Sequence, residues 1–97
     1  MLAAGMALLS DAQIEQHLQG SQWKRDGGRI VRDLQLADFA AAIALVDRVA
    51  ELAESANHHP DILVHGWNKL RLTLSTHSEG GLTAADFALA ERIDSLS

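Results

Sequence analysis

The stretch Lys69-Leu70-Arg71-Leu72-Thr73-Leu74-Ser75-Thr76 decides how this chain folds. Leu70, Leu72, Leu74 and Thr76 alternate strictly with Lys69, Arg71, Thr73 and Ser75, and a period of two marks a strand with one buried face. His77 stands at its exit. Upstream, Ile62, Leu63 and Val64 followed by His65 form a short apolar run, so Asp61 to Trp67 reads as a partner strand with Gly66 as a bulge or end. Before that run comes Asn57-His58-His59-Pro60-Asp61. Pro60 disfavours helical backbone at His59, and extended backbone sends adjacent side chains to opposite sides. His58 and His59 are therefore expected to have different roles. Pairing of the two strands through the turn from Gly66 to Lys69 would bring His58 and His77 to one end of the hairpin.

Working outward, Gly80-Gly81 turns the chain and Thr83-Ala84-Ala85-Asp86 opens a final helix, with Leu82, Phe87, Leu89, Ala90 and Ile93 for its buried face. Towards the amino end, Asp38 caps the longest element, Phe39 to about Ser55. Its apolar residues form two adjacent stripes: Phe39, Ile43, Val46, Ala50 and Ala53, then Ala42, Leu45, Val49 and Leu52. Together they cover about half the circumference, wider than the ~100° needed to face a core. Such a helix either packs on the sheet and meets another helix, as from a second subunit, or is set deeply in a small core. Arg29 to Leu36 reads as a strand with Ile30, Leu34 and Leu36 on one side. Asp26-Gly27-Gly28 is the hairpin turn joining it to the short segment around Trp23. Ser10-Asp11-Ala12-Gln13 is a capping box for a first helix running to about Leu18, ended by Gly20. The order is α-β-β-α-β-β-α, an α+β fold with a four-stranded antiparallel sheet and three helices on one face.

Ninety-seven residues suit a single domain, 1–97, with one modest core. Net charge is −5 and the eight basic residues are scattered, which argues against direct nucleic-acid binding. With no cysteine, disulfides, thiol catalysis and cysteine metal sites are excluded. Met1 to Leu9 is apolar but has no basic start and is too short to span a bilayer. It reads as a frayed tail or the lead-in to the first helix, and the protein as cytoplasmic.

His58, His59 and His77 are three of the five histidines. A three-histidine metal site is disfavoured, because adjacent histidines on extended backbone rarely converge on one ion and no carboxylate spacing accompanies them. Ser75 lies mid-strand, outside any nucleophile-elbow context. Gly80-Gly81 is too short for a phosphate loop and lacks a lysine. General acid–base work remains, since imidazole titrates near neutrality. Glu54, one helical turn before the histidine pair, could orient or charge one of them, and Asn57, Asp61 and Asp86 accompany the cluster. His17 and His65 read as surface residues.

The pieces Glu54-Ser55-Ala56-Asn57-His58-His59-Pro60-Asp61, Trp67-Asn68-Lys69, Leu74-Ser75-Thr76-His77, Gly81-Leu82-Thr83 and Asp86-Phe87 resemble the pterin-4a-carbinolamine dehydratases, with weaker similarity at Trp23 and Phe39. The resemblance implies a dehydratase with no metal and no bound cofactor. It would remove water from a 4a-hydroxytetrahydropterin to give the quinonoid dihydropterin, in the recycling of tetrahydropterin used by aromatic amino acid hydroxylases. It implies His58 and His77 as the acid–base pair, with His59 binding or orienting the substrate. Glu54 and Asp86 would tune a histidine or hold the pterin's polar edge, and Trp23 would offer a flat face to the ring. Asn57, Pro60, Ser75 and Thr76 complete the implied substrate-binding set. Asn57 stands where some members carry aspartate, Ile62 where some carry an aromatic, and Trp67 where tyrosine is common. Homodimers or homotetramers are implied, joined by sheet edges and by the long helix. The other reading is a non-catalytic protein-binding module, a dimerisation cofactor or coactivator using that helix.

Overall fold

The computed structural model describes residues 7–96. Its elements are α1 (Asp11–Leu18), β1 (Lys24–Asp26), β2 (Arg29–Gln35), α2 (Phe39–Ala56), β3 (Asp61–His65), β4 (Lys69–Leu74), a 3-10 turn (His77–Glu79) and α3 (Ala84–Asp94). The four strands pair antiparallel in the order β1-β2-β4-β3. The expected α+β order is therefore present, and the strand read first lies inside the sheet. Leu70, Leu72 and Leu74 of β4 and Ile30 of β2 are wholly buried. Burying a Leu or Ile side chain is worth about 1.5–3 kcal/mol, so this inner face outweighs any surface pair on the opposite side.

The expected capping box forms at α1, and the expected helix start at Thr83 is a second one. Ser10 and Gln13 close the start of α1, and Thr83 and Asp86 close the start of α3. In α2 the stripe Ala42, Leu45, Val49 and Ala53 is buried, whereas Phe39 and Ile43 remain 54% and 37% exposed. Phe39 and Ile43, at the start of the other stripe, thus face away from the core, while Val46 farther along it packs against the core. Among the described residues, no helix is long and apolar enough to cross a membrane.

Two details differ from the sequence reading. β3 ends at His65, because Gly66 and Trp67 both take positive φ (54° and 60°) and turn the chain instead of extending it. Asn68 ties that turn to β2: its side chain donates to the Leu36 carbonyl (2.9 Å) and its own carbonyl accepts from Leu36 N–H (2.8 Å). Of the apolar opening, residues 1–6 lie outside the described residues. Leu8 bridges Thr83, and Leu9 N–H donates to the Leu82 carbonyl (2.9 Å), so residues 8 and 9 take the lead-in of the two readings. Trp23 is the second difference. It is 3% exposed, with its indole N–H on Asp94 (2.8 Å), and Asp94 also receives Arg32 from the inner face of β2. A ring enclosed this far has no face to offer a ligand; it anchors β1 and β2 to the end of α3.

The carboxyl end of α2 sets up the site. Asn57 adopts left-handed backbone (φ 51°), its N–H bonds the Glu54 carbonyl (3.2 Å), and His58 N–H reaches back to the Ala53 carbonyl (3.1 Å). This is a Schellman closure. It stops the helix and points the chain into His58-His59-Pro60.

Two outcomes are expected. Asn57→Ala destabilises the protein by about 1 kcal/mol, because a non-asparagine side chain is strained in this backbone region, whereas Asn57→Gly stays near wild type in chemical denaturation. On the outer face, the Arg71 guanidinium beside Asp33 (2.7 Å) holds that carboxyl below the usual carboxylate range. A lowered folded value means stability present above the unfolded pKa and lost as pH falls through the folded one. Denaturation curves of Asp33→Asn should therefore decline less steeply than wild type below about pH 4, and the pair's exposure keeps the difference small.

Candidate active site

The backbone places the two halves of the histidine cluster on different elements. His58 and His59 leave the end of α2, while Ser75, Thr76 and His77 continue β4 into the 3-10 turn. What joins them is Asp86, in the first turn of α3 and 0% exposed. Its Oδ1 lies 2.6 Å from His58 Nε2. Its Oδ2 accepts from the Thr76 hydroxyl (2.8 Å) and from Thr83 N–H (2.9 Å). A buried carboxylate is tolerated only where its lone pairs are met by donors, and here both oxygens are engaged. With Asp86 as acceptor, His58 donates through Nε2. The opposite ring nitrogen, Nδ1, makes no hydrogen bond among the described residues, and the His58 side chain keeps 15% of its surface exposed.

His59 diverges from His58, as its extended backbone requires. Its Nε2 lies 2.6 Å from Glu54 Oε2, in an exposed pair at the last turn of α2. Ser75 points away from Thr76, as strand alternation dictates, and donates to the Gly28 carbonyl (2.8 Å), stitching the β1–β2 turn to the end of β4. A hollow of about 400 Å³ opens there, lined by Gly28, Arg29, Ser75, His77 and Gly80. Gly80, in left-handed backbone (φ 74°), turns the chain back so that Gly81 pairs with Thr76.

The structure thus links His58, Thr76 and Asp86 by hydrogen bonds, pairs His59 with Glu54, and sets His77 one residue beyond Thr76 on the hollow's wall. His58 is not among the residues lining that hollow. Asn57 serves as the helix stop, and Pro60 lies half-buried between the histidines and β3. Trp23 lies apart, in the core against Asp94. Asp86 holds a histidine and does not face solvent. Two residues of the neighbourhood were not singled out by sequence reasoning. Thr83 was read only as part of a helix start, and its 2.8 Å contact with the Thr76 hydroxyl depends on the hairpin's tertiary position. Arg29 reaches the hollow only because β2 pairs with β4.

Chemically, the arrangement offers one imidazole oriented by a buried carboxylate, a second supported by an exposed carboxylate, and a third at a concave rim. Such groups move protons near neutral pH.

Comparison with known proteins agrees. The family described as Pterin 4 alpha carbinolamine dehydratase matches residues 7–96. A protein of Nocardia farcinica, provisionally named a pterin-4-alpha-carbinolamine dehydratase, is 56% identical over 91 residues, covering 93% of this chain and 95% of that one. A protein of Roseiflexus castenholzii with the same provisional name is 52% identical over 91 residues, covering 93% and 97%. Among solved structures, the transcriptional coactivator/pterin dehydratase of Brucella melitensis superposes with a TM-score of 0.85 at 27% identity, covering 91% of this chain and 96% of that one. A pterin dehydratase-like protein identified as a RuBisCO assembly factor in the alpha-carboxysome gives a TM-score of 0.64 at 27% identity, covering 77% and 88%. With the match running through every described element and both histidine segments, this chain belongs to the pterin-4a-carbinolamine dehydratase family.

Proposed function

We propose that the protein dehydrates a 4a-hydroxytetrahydropterin to the quinonoid dihydropterin, using imidazoles as general acid and base. The reaction breaks the C4a–O bond, whose oxygen leaves as water after taking a proton from the acid. The N5 proton passes to the base, and the electron pair left behind forms the C4a=N5 double bond. No electrons are gained or lost overall, so two positioned proton carriers suffice. The observation that supports this most is the His58–Asp86 pair, in which a wholly buried carboxylate fixes one imidazole through Nε2.

In this reading His58 and His77 exchange protons with the substrate. His59, held by Glu54, orients the ring, and the carboxylate suits the amino-pyrimidine edge of a pterin, which presents N–H donors. Thr76 and Asp86 act through His58, and Ser75 shapes the hollow by fixing Gly28. The product is a substrate for a reductase, which places the protein in tetrahydropterin recycling after an aromatic amino acid hydroxylase, in the cytoplasm. The exposed Phe39 and Ile43 on α2 and the open edge of β3 are the surfaces that would join copies into a dimer or tetramer.

The same exposed stripe favours a second reading, a binding module that works through α2 and needs no histidine chemistry. Ultraviolet decay of synthetic 4a-hydroxytetrahydropterin separates the two. The dehydratase accelerates it above the spontaneous rate, and His58→Ala or His77→Ala each removes about 10²–10⁴-fold of that acceleration. Decay at the spontaneous rate with the wild-type protein, or full activity in the double variant, contradicts the enzyme reading.

A further inference from the structure

Arg29 is an unpaired cation on the wall of the hollow that His77 shares. It opens β2, its side chain is exposed, and it makes no hydrogen bond or ion pair among the described residues. Arg25, Arg32 and Arg71 are instead each held by an aspartate, Asp11, Asp94 and Asp33 respectively. Asp26 faces Arg29 across the β1–β2 hairpin, yet it lines a different hollow, with Arg71, and forms no ion pair with Arg29. The net charge of the chain is −5, but the lining of the His77 hollow contains no carboxylate. Three other hollows of similar size each carry an aspartate: Asp26 and Asp33 in one, Asp33 in the second and Asp94 in the third.

The walls of this hollow are fixed by the chain itself. Ser75 donates to the Gly28 carbonyl (2.8 Å), and a Cβ at Gly28 would meet Gly81 Cα at 3.5 Å and the Gly80 carbonyl oxygen at 3.6 Å. The β1–β2 turn therefore lies against the Gly80-Gly81 turn. Two lining residues have no side chain, and the Ser75 hydroxyl has given its proton to Gly28. Arg29 and His77 are left to meet a ligand. A guanidinium is always charged, and its fork of donors matches the oxygens of a carboxylate or a phosphate.

The chemistry at His77 indicates what enters. In the dehydratase reading above, His77 works beside C4a and N5 of the pterin, and C6 is bonded to N5. A substituent on C6 therefore leaves the ring next to the reacting atoms, and the room beside His77 is this hollow. The amino-pyrimidine edge, at the far end of the ring, faces His59 and Glu54 in the same reading.

We propose that Arg29 is a specificity-determining residue, and that the hollow takes a C6 substituent ending in a carboxylate or a phosphate, which pairs with its guanidinium. The placement of the ring rests on the dehydratase reading, so the test includes binding as well as turnover.

The first measurement is equilibrium binding of oxidised pterins to the full chain, followed by quenching of their fluorescence. The ligands are pterin-6-carboxylate, the phosphate ester of 6-hydroxymethylpterin, and uncharged 6-hydroxymethylpterin. Wild type should bind at least one anionic ligand about five- to tenfold tighter than the neutral one, more than a fully exposed ion pair gives and less than a buried charged hydrogen bond. The two anionic arms tell carboxylate from phosphate. Arg29→Gln should bring the ratio close to one, and Arg29→Lys, which keeps the charge without the fork, should retain part of it. The second measurement is the ultraviolet decay of 4a-hydroxytetrahydropterins with the same substituents, in which kcat/KM should follow the same order and lose it in Arg29→Gln. Equal treatment of charged and neutral pterins by wild type, or an unchanged preference in Arg29→Gln, overturns the proposal even if dehydration is accelerated. An Arg29-dependent preference in binding with no acceleration of decay sustains the anion site and contradicts the dehydratase reading instead. Absence of both binding and acceleration overturns both.

Discussion

A carboxylate with no exposed surface is held at the junction of three segments, and the architecture of the site follows from satisfying it. Asp86 gathers a hydroxyl from the end of β4, an amide from the start of α3 and an imidazole from the end of α2. Each donor comes from a different element, so the carboxylate is met only when the hairpin, the long helix and the last helix are all docked. Removing one partner of such a buried group leaves an unmet charge, which is far more destabilising than the net worth of the bond. The same requirement that fixes the fold locally also fixes the ring of His58. Stability and the proposed chemistry meet in one atom group.

Much of this was legible in the sequence because it depends on local pattern. The alternation of Leu70, Leu72 and Leu74 is a property of neighbouring residues, as are the capping box at Ser10 and the helix start at Thr83, and all survive in the structure. The histidine segments are visible for a similar reason, since Pro60 disfavours helical backbone at the residue before it. What escaped was set by partners distant in the chain. Trp23 reads from the sequence either as a flat face for a ligand or as a core aromatic, and what buries it is Asp94, 71 residues on, which claims its N–H. Arg32 sits on the inner face of β2, where alternation would place an apolar residue, because that same carboxylate receives it. Trp67 turned a strand into a loop through a positive φ that bulky residues seldom adopt. None of these can be inferred from spacing.

The geometry also keeps the proposed chemistry apart from the exposed stripe of α2. Ile43 and Glu54 are eleven residues apart on one helix, a separation of roughly 16 Å at the helical rise per residue. Substitutions that abolish proton transfer at one end therefore need not disturb contacts made at the other. Solved relatives of this fold carry descriptions as different as a coactivator/dehydratase and a RuBisCO assembly factor. A scaffold whose chemistry and exposed apolar surface lie at separate ends of one helix is compatible with such variety, as folds host functions through local sites.

The most direct measurement is the turnover of Asp86→Asn. Asparagine has the same shape and its amide oxygen can still accept from Thr83 N–H, so α3 stays capped. Its NH₂ group, however, would face His58 Nε2 as a donor and drive the imidazole to the opposite tautomer. The account predicts a folded protein with kcat lowered by at least about 10²-fold and KM little changed, as loss of a correctly oriented proton carrier requires. Wild-type kcat in a folded Asp86→Asn protein would contradict it.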